Sequence, residues 1–289
     1  MEVKKERLIF GAFIATLGFF FTAAMGTCSK LISPQTSLFT ILFFQNCICL
    51  LCTLPQIVQK GWSFVKTEKL PLHLVRDIGG IMATFCLFFS LKTTSLVTGM
   101  LLLNAAPLWV PLISFLWLRL QIKGYLWIGI ILGFVGVLLI LKPGAEILAI
   151  GTLAALLSGI LTGVTLIAIH KLAVTEPTHR ILFYYFLLGT IVTLPLALFH
   201  ARIPSLEDFF CLLGIGFSTI LGNLLITYAF KHGKASVLAP ISYTAVVYSG
   251  ILGWLIWNNV PDFFSMIGMI LVFIGGSISV YFEKKNRTI

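Results

Sequence analysis

The sequence predicts an all-α membrane protein of ten transmembrane helices, arranged as two inverted five-helix repeats, and three observations carry that prediction. Apolar residues make up 58% of 289 positions and the mean hydropathy is +1.03. Soluble domains hold roughly 45–50% apolar residues, so lipid must be the main solvent here. Long apolar runs follow one another, and the charged residues, only 10% of the chain, gather between them. The second half of the chain also repeats features of the first at a nearly constant offset.

A bilayer core needs about 20 apolar residues per helix. Ten runs meet that need, at 8–29, 37–58, 73–91, 95–118, 124–141, 148–169, 180–199, 208–230, 235–257 and 263–282. The first follows a basic start, but Leu8 to Cys28 exceeds the roughly 7–15 residues of a signal-peptide apolar core, so it is expected to be retained. Basic residues set the orientation. With the N-terminus in the cytoplasm, sixteen of the twenty Lys and Arg fall inside, and only Lys30, Lys92, Lys142 and Arg202 fall outside. Both termini are therefore expected in the cytoplasm. The formal net charge of +10 then needs no nucleic acid partner. Six cysteines lie in or at the ends of apolar spans without the spacing of a zinc or redox site.

A shift of 139 residues lays Phe89-Ser90-Leu91-Lys92 over Tyr228-Ala229-Phe230-Lys231, and Gly129 and Gly136 over Gly268 and Gly275. A shift of 140 lays Gly11 and Thr22 over Gly151 and Thr162, and one inserted residue reconciles the two. Residues 1–143 and 144–289 are thus expected to be two five-helix units. Five is odd, so the second unit enters the membrane from the opposite side. Inverted repeats place substrate near the midplane and expose it to either side in turn, so alternating access is expected.

Several of these segments also resemble a known family. They are Ser90-Leu91-Lys92-Thr93-Thr94-Ser95 leading into Ala106-Pro107, and Ala229-Phe230-Lys231 leading into Ala235-Ser236-Val237-Leu238-Ala239-Pro240. Trp127-Ile128-Gly129 and Met266-Ile267-Gly268 follow them. In order and spacing they resemble the EamA-type members of the drug/metabolite transporter superfamily, over nearly the whole chain. The resemblance implies transport of a small metabolite without naming it. Two departures stand out: Leu120 and Asn259 occupy positions where the family often has glutamate, and Gln45, with Tyr184 in the second half, replaces an arginine common in the second helix.

Polar residues inside spans are the candidates for substrate contact. Asn104 and Tyr243 are repeat partners near the middle of the fourth and ninth spans, and Trp109 pairs in the same way with Tyr248. An amide and a phenol, each with an aromatic five residues on, could bind a planar or zwitterionic solute; helix–helix contact is the alternative use. Pro107, Pro111 and Pro240 lie in the same spans and are expected to form hinges or line a cavity, or to be passive kinks. Thr22 and Thr162, with Asn223, Thr227 and Tyr228, complete the polar set, although threonine can satisfy its hydroxyl on its own helix. Gly129, Gly133 and Gly136, and Gly268, Gly275 and Gly276, are expected to serve packing. Lys92 is either a relic of duplication or, with Lys231, an attractor of anionic groups at the two mouths.

All ten acidic residues and all five histidines are read as lying at span ends or in loops, and no buried Arg or Lys is expected. This reading disfavours a proton relay. The chain is therefore expected to be a secondary carrier or facilitator of a neutral, zwitterionic or aromatic metabolite, such as an amino acid, in a bacterial inner membrane. Uptake or exchange of S-adenosylmethionine or a nucleoside-like compound is an alternative. A flippase for a lipid-linked headgroup, a different class, would want cationic contacts at depth. No catalytic constellation, nucleotide loop, cofactor or metal set is visible, so no enzyme is expected. The expected partners are the small-molecule substrate and membrane lipids, with the chain a monomer or homodimer.

Overall fold

An apolar segment in lipid can satisfy its backbone only by closing on itself, which makes helices. The structure, a computed structural model, describes residues 2–118, 149–199, 204–232, 239–258 and 262–285, with 128–129, 131–133, 135–136 and 139 between them. Among the described residues all regular structure is helical. The helices are α1 (Glu2–Leu31), α2 (Leu38–Lys60), α3 (Leu70–Leu91), α4 (Leu96–Asn104) and α5 (Ala106–Leu118) in the first half. In the second half they are α6 (Ile150–Ala173), α7 (Thr178–Phe199), α8 (Leu206–His232), α9 (Thr244–Trp257) and α10 (Phe263–Lys285). Short 3-10 turns cover Trp62–Val65 and Ala239–Tyr243.

Six stretches, Phe10–Leu31, Leu38–Lys60, Leu70–Leu91, Ile150–Ala173, Thr178–Phe199 and Leu206–Ala229, are long and apolar enough to cross a membrane. At 1.5 Å per residue a 22-residue helix is about 33 Å long, the thickness of a bilayer core. Ser37 caps α2 by accepting from the Phe39 N–H, and Gly61 ends that helix at φ 77°, a left-handed backbone that suits glycine.

Two expectations change shape. The predicted fourth span is two helices, broken at Ala105, whose N–H reaches back to Leu102 O. Pro107 explains the break, because it has no N–H to offer the carbonyl of Leu103. The described part of the predicted ninth span begins with the 3-10 turn Ala239–Tyr243, which holds Pro240, and continues as an α-helix from Thr244. The third helix also begins earlier than predicted, at Leu70, with a proline in its first turn. Pro71 pre-sets the helical φ there. Most of the predicted fifth span lies outside the described residues.

Helix packing pairs the two halves. The most extensive contacts are α1 along α8, α3 along α6 and α2 along α7, while α4 and α5 lean on α6 and α9 leans on α1. The α1–α8 seam is antiparallel: a Cβ on Gly18 would lie 3.2 Å from Gly222 O, and one on Gly214 would lie 2.9 Å from Cys28 Sγ. Backbones approach this closely only where side chains are absent. Helices α2 and α7 each carry an interior proline, Pro55 and Pro195, at equivalent positions for a shift of 140. The backbone of 129–133 meets α10 at Gly275, where a Cβ would sit 2.5 Å from Gly129 O.

Candidate functional site

Each of the two predicted midplane residues sits at an irregularity in its span. Asn104 is the last residue of α4 before its break, and Tyr243 is the last residue of the 3-10 turn before α9. Both are buried, at 6% and 4% exposure. Asn104 Nδ2 donates to Met100 O one turn back, at 2.7 Å. Tyr243 packs in a core cluster with Leu101, Ala105, Leu108 and Ala155, and its ring stands 5.8 Å from Phe273. Its hydroxyl is buried and has no hydrogen-bond partner among the described residues, a state that ordinarily costs about 1–3 kcal/mol.

Trp109 and Tyr248 occupy matching settings. Trp109 lies over α6, where a Cβ on Gly163 would meet Trp109 Cβ at 3.2 Å. Tyr248 lies against α1, its ring 5.4 Å from Phe20 in a T-shaped contact. Helix α6 approaches the α4–α5 break so closely that a Cβ on Gly159 would stand 2.1 Å from Leu102 O. The side chains of Pro107, Pro111 and Pro240 lie outside the described residues.

The remaining polar candidates are less convergent. Thr22 Oγ1 donates to Gly18 O and Thr162 Oγ1 to Ser158 O, so both hydroxyls are satisfied on their own helices. Asn223 Nδ2 donates to Thr219 O at 3.0 Å. Thr227 is buried, whereas Tyr228 is 45% exposed on α8.

Helix α3 overturns one expectation. Arg76 and Asp77 lie in its second turn at 1% exposure each, and His73 is fully buried one turn before them. All three stay within the first two turns of the helix, near its end, but they are buried there, so the expectation of no buried Arg does not hold. Arg76 Nη1 donates to Asp77 Oδ1 at 3.3 Å, and its guanidinium lies over the Tyr185 ring at 3.8 Å. Tyr185 Oη lies 3.3 Å from Thr84 Oγ1, whose own proton goes to Gly80 O. The signal was present in the sequence as three polar residues at helical spacing, 73, 76 and 77, inside an apolar stretch behind a proline.

Polar ties join the two halves at both ends of the bundle. At the end where α3 and α7 begin, Thr67 Oγ1 donates to Glu176 Oε1 at 2.7 Å and Lys69 Nζ to Thr175 Oγ1 at 2.8 Å. Arg180 Nε donates to Phe64 O at 2.6 Å and Tyr184 Oη to Val65 O at 2.8 Å, while Arg180 also pairs with Glu176. Burial alone would raise the Glu176 carboxyl, but hydrogen bonds from Thr67 and Arg180, with the charges of Arg180 and His73, outweigh it and hold it below its usual range. At the opposite end Asp208, in the first turn of α8, accepts from Ser33 N at 2.9 Å and Thr36 Oγ1 at 2.7 Å. Lys92 there ties down the α1–α2 connection, donating to Thr36 O at 2.6 Å and Pro34 O at 3.4 Å. Lys30 donates to Leu91 O and Thr94 O. Lys92 is thus engaged in closing this end.

A helical bundle with six membrane-length apolar helices and buried polar groups at helix interruptions is a multi-pass membrane protein of the transporter class. The EamA-like transporter family matches residues 9–142 and again 149–281, and the chain belongs to that family. The pseudopaline exporter CntI of Pseudomonas aeruginosa (strain UCBPP-PA14) is 28% identical over 91% of this chain and 93% of its own length. The S-adenosylmethionine uptake transporter of Rickettsia bellii (strain RML369-C) is 26% identical over 91% of each chain. A solved crystal structure shares the fold, with a TM-score of 0.66 at 19% identity over 96% of this chain and 98% of that one.

Proposed function

We propose that this transporter is an alternating-access carrier, built from inverted halves 1–143 and 144–289 with both termini in the cytoplasm of a bacterium, that moves a small zwitterionic or aromatic metabolite across the inner membrane. The observation that carries the reading is the pair of helix interruptions at Asn104 and Tyr243, 139 residues apart, each presenting a buried polar side chain and one of them a hydroxyl with no partner among the described residues. Interrupted helices at corresponding positions of two halves are where inverted-repeat carriers bind substrate. The packing supports a relation between the halves as well: exchanging them turns the α1–α8 seam into the α6–α3 seam and leaves α2–α7 as itself.

The ties at the two ends support the alternation. The same exchange carries the α1–α2 connection holding Thr36 onto the α6–α7 connection holding Thr175 and Glu176, and the start of α8 onto the start of α3. Asp208 with Ser33 and Thr36 would then be the outer latch, and Glu176 with Thr67 and Arg180 the inner one.

Amino-acid-like substrates suit an amide, a phenol and nearby aromatics, and S-adenosylmethionine, the substrate named for the Rickettsia relative, carries both an amino-acid group and a purine. Counterflow in proteoliposomes tests this, with internal pools of amino acids, nucleosides or S-adenosylmethionine set against labelled tracers. One pool is expected to drive tracer accumulation, and folded Asn104→Ala and Tyr243→Ala proteins are expected to lose it. Full accumulation by both variants would remove these residues from the site.

A further inference from the structure

Helices α3 and α7, one from each half, leave between them a cleft of about 180 Å³. Leu70 and Leu74 form one wall, and Leu187, Leu188 and Ile191 the other. His73 and Asp77 are buried behind them, and the surface turned to the cleft is almost entirely carbon. Leu70, Leu74 and Ile191 are 47%, 41% and 58% exposed, so the cleft opens sideways, off the flank of the bundle. Both helices are long and apolar enough to cross a membrane. The cleft therefore faces hydrocarbon. Its lining runs from Leu70 to Asp77 on α3 and from Tyr184 to Ile191 on α7. That is about 11 Å of helix, against roughly 15 Å for the hydrocarbon of one leaflet.

The end of the cleft where α3 begins is polar and basic. The Tyr184 hydroxyl, on the cleft lining, donates to Val65 O at 2.8 Å, and Arg180 Nε donates to Phe64 O at 2.6 Å. These bonds fasten the turn Trp62–Val65 to the first part of α7. The Phe64 ring is met by Lys60 Nζ at 4.7 Å and by the Arg180 guanidinium at 5.2 Å from its centroid. Lys66 follows Val65 and is exposed; Lys69 precedes Leu70 and reaches Thr175 Oγ1 at 2.8 Å. Of the nearby acids, Glu176 is committed to Thr67 and Arg180, and Glu68 is exposed. Lys60, Lys66, Lys69 and Arg180 leave this rim positive.

We propose that the groove is a binding site for an anionic phospholipid of the surrounding leaflet, with one acyl chain between α3 and α7 and the phosphate group against Lys66 and Lys69. Shape and charge together select that class. An empty slot forfeits dispersion contacts along both walls, and a hydrocarbon chain restores them. A neutral apolar molecule would fill the slot and leave the rim unused, whereas a free anion would use the rim and leave the slot empty. An anionic amphiphile uses both, and basic residues beside a membrane-spanning helix draw such head groups. Lys69 can serve the phosphate while keeping Thr175, because an ammonium group has three donors. A lipid seated there touches both halves, whatever solute the carrier moves.

The test is photolabelling of the full chain in phosphatidylcholine bilayers by trace phosphatidylglycerol or trace phosphatidylcholine, each with a diazirine on one acyl chain, followed by peptide mapping. The exposed face of α8 that carries Phe210 and Phe217 serves as the ordinary lipid surface. A lysine beside an anionic head group strengthens binding about fivefold. The phosphatidylglycerol probe is therefore expected to label residues 70–78 and 184–191 at least about fivefold more than the α8 face, with the phosphatidylcholine probe showing less preference. Lys66→Gln/Lys69→Gln, checked for folding by melting temperature, should lower groove labelling by phosphatidylglycerol roughly twentyfold and leave the α8 face unchanged. Leu74→Trp fills the groove from an exposed position and should lower labelling of 184–191 by both probes, which keeps the test open should the lysine variant not fold. Equal labelling of groove and α8 face by phosphatidylglycerol would overturn the proposal, as would equal preference of the two probes for the groove. Groove labelling below that of the α8 face with both probes would show another occupant there, such as a second copy of the chain, and would overturn it too.

Discussion

Loosening one end of the bundle should open that end alone. Asp208 is buried and accepts two hydrogen bonds across the halves, from Ser33 N and Thr36 Oγ1. Bonds to a charged group contribute roughly 1.5–3 kcal/mol each. Even at the low end, Asp208→Ala removes about 3 kcal/mol from the outer-closed state. At 1.4 kcal/mol per factor of ten, the outer-open population should rise about a hundredfold. Cys28 reports on it, because it packs against Gly214 on the α1–α8 seam beside this latch. In a variant keeping only Cys28, a membrane-impermeant maleimide should label Asp208→Ala protein ten to a hundred times faster than its parent, by the same arithmetic and allowing for the Lys30 and Lys92 ties that remain. Glu176→Gln loosens the opposite end and should slow that labelling. If both substitutions sped it equally, the ends would be loosening independently and the coupling argument would be refuted.

Three further outcomes follow from single side chains. Gly159→Val places a Cβ 2.1 Å from Leu102 O, a backbone atom next to the α4–α5 break; a loss of about 1–3 kcal/mol in stability is expected from overpacking, with melting in detergent as the check. Tyr243→Phe deletes a hydroxyl that is buried and unpartnered among the described residues. Stability should hold or rise by about 1 kcal/mol while substrate counterflow falls, and a matched loss of both would mean the hydroxyl serves only the fold. The carboxyl of Glu176 is held low, so its contribution is complete above the unfolded carboxylate value and is lost only as pH falls through the depressed one. The melting-temperature difference between wild type and Glu176→Gln should therefore stay level from pH 7 to about pH 5 and shrink below that; shrinkage already near pH 6 would contradict this assignment.

Apolar run length was enough to locate the long helices, because lipid leaves a spanning backbone little choice but to close on itself. It could not show that the fourth and ninth runs are interrupted, although Pro107 and Pro240 marked the places; run length counts side chains, and the break is a missing backbone donor. Asn104 and Tyr243 were picked out in the sequence as polar residues at matching offsets, but that the Tyr243 hydroxyl has no partner among the described residues depends on neighbours in other helices. The burial of Arg76 was missed for a definite reason. A charge near a span end normally belongs to the water interface, and here Pro71 starts the helix early enough to carry it inside. The hydroxyls of Thr22 and Thr162, polar in sequence, are satisfied within their own helices, a local competition that composition does not show.

The alternation of the two ends is tested most directly by paired distances between spin labels at exposed positions, Gln35 with Leu206 across one end and Glu68 with Val174 across the other, in the same lipid-reconstituted protein. Wild type, Asp208→Ala and Glu176→Gln are expected to give opposed shifts: whenever the first distance lengthens, the second is short, and the reverse. Lengthening of both distances together, or no change in either across the three proteins, would contradict the account.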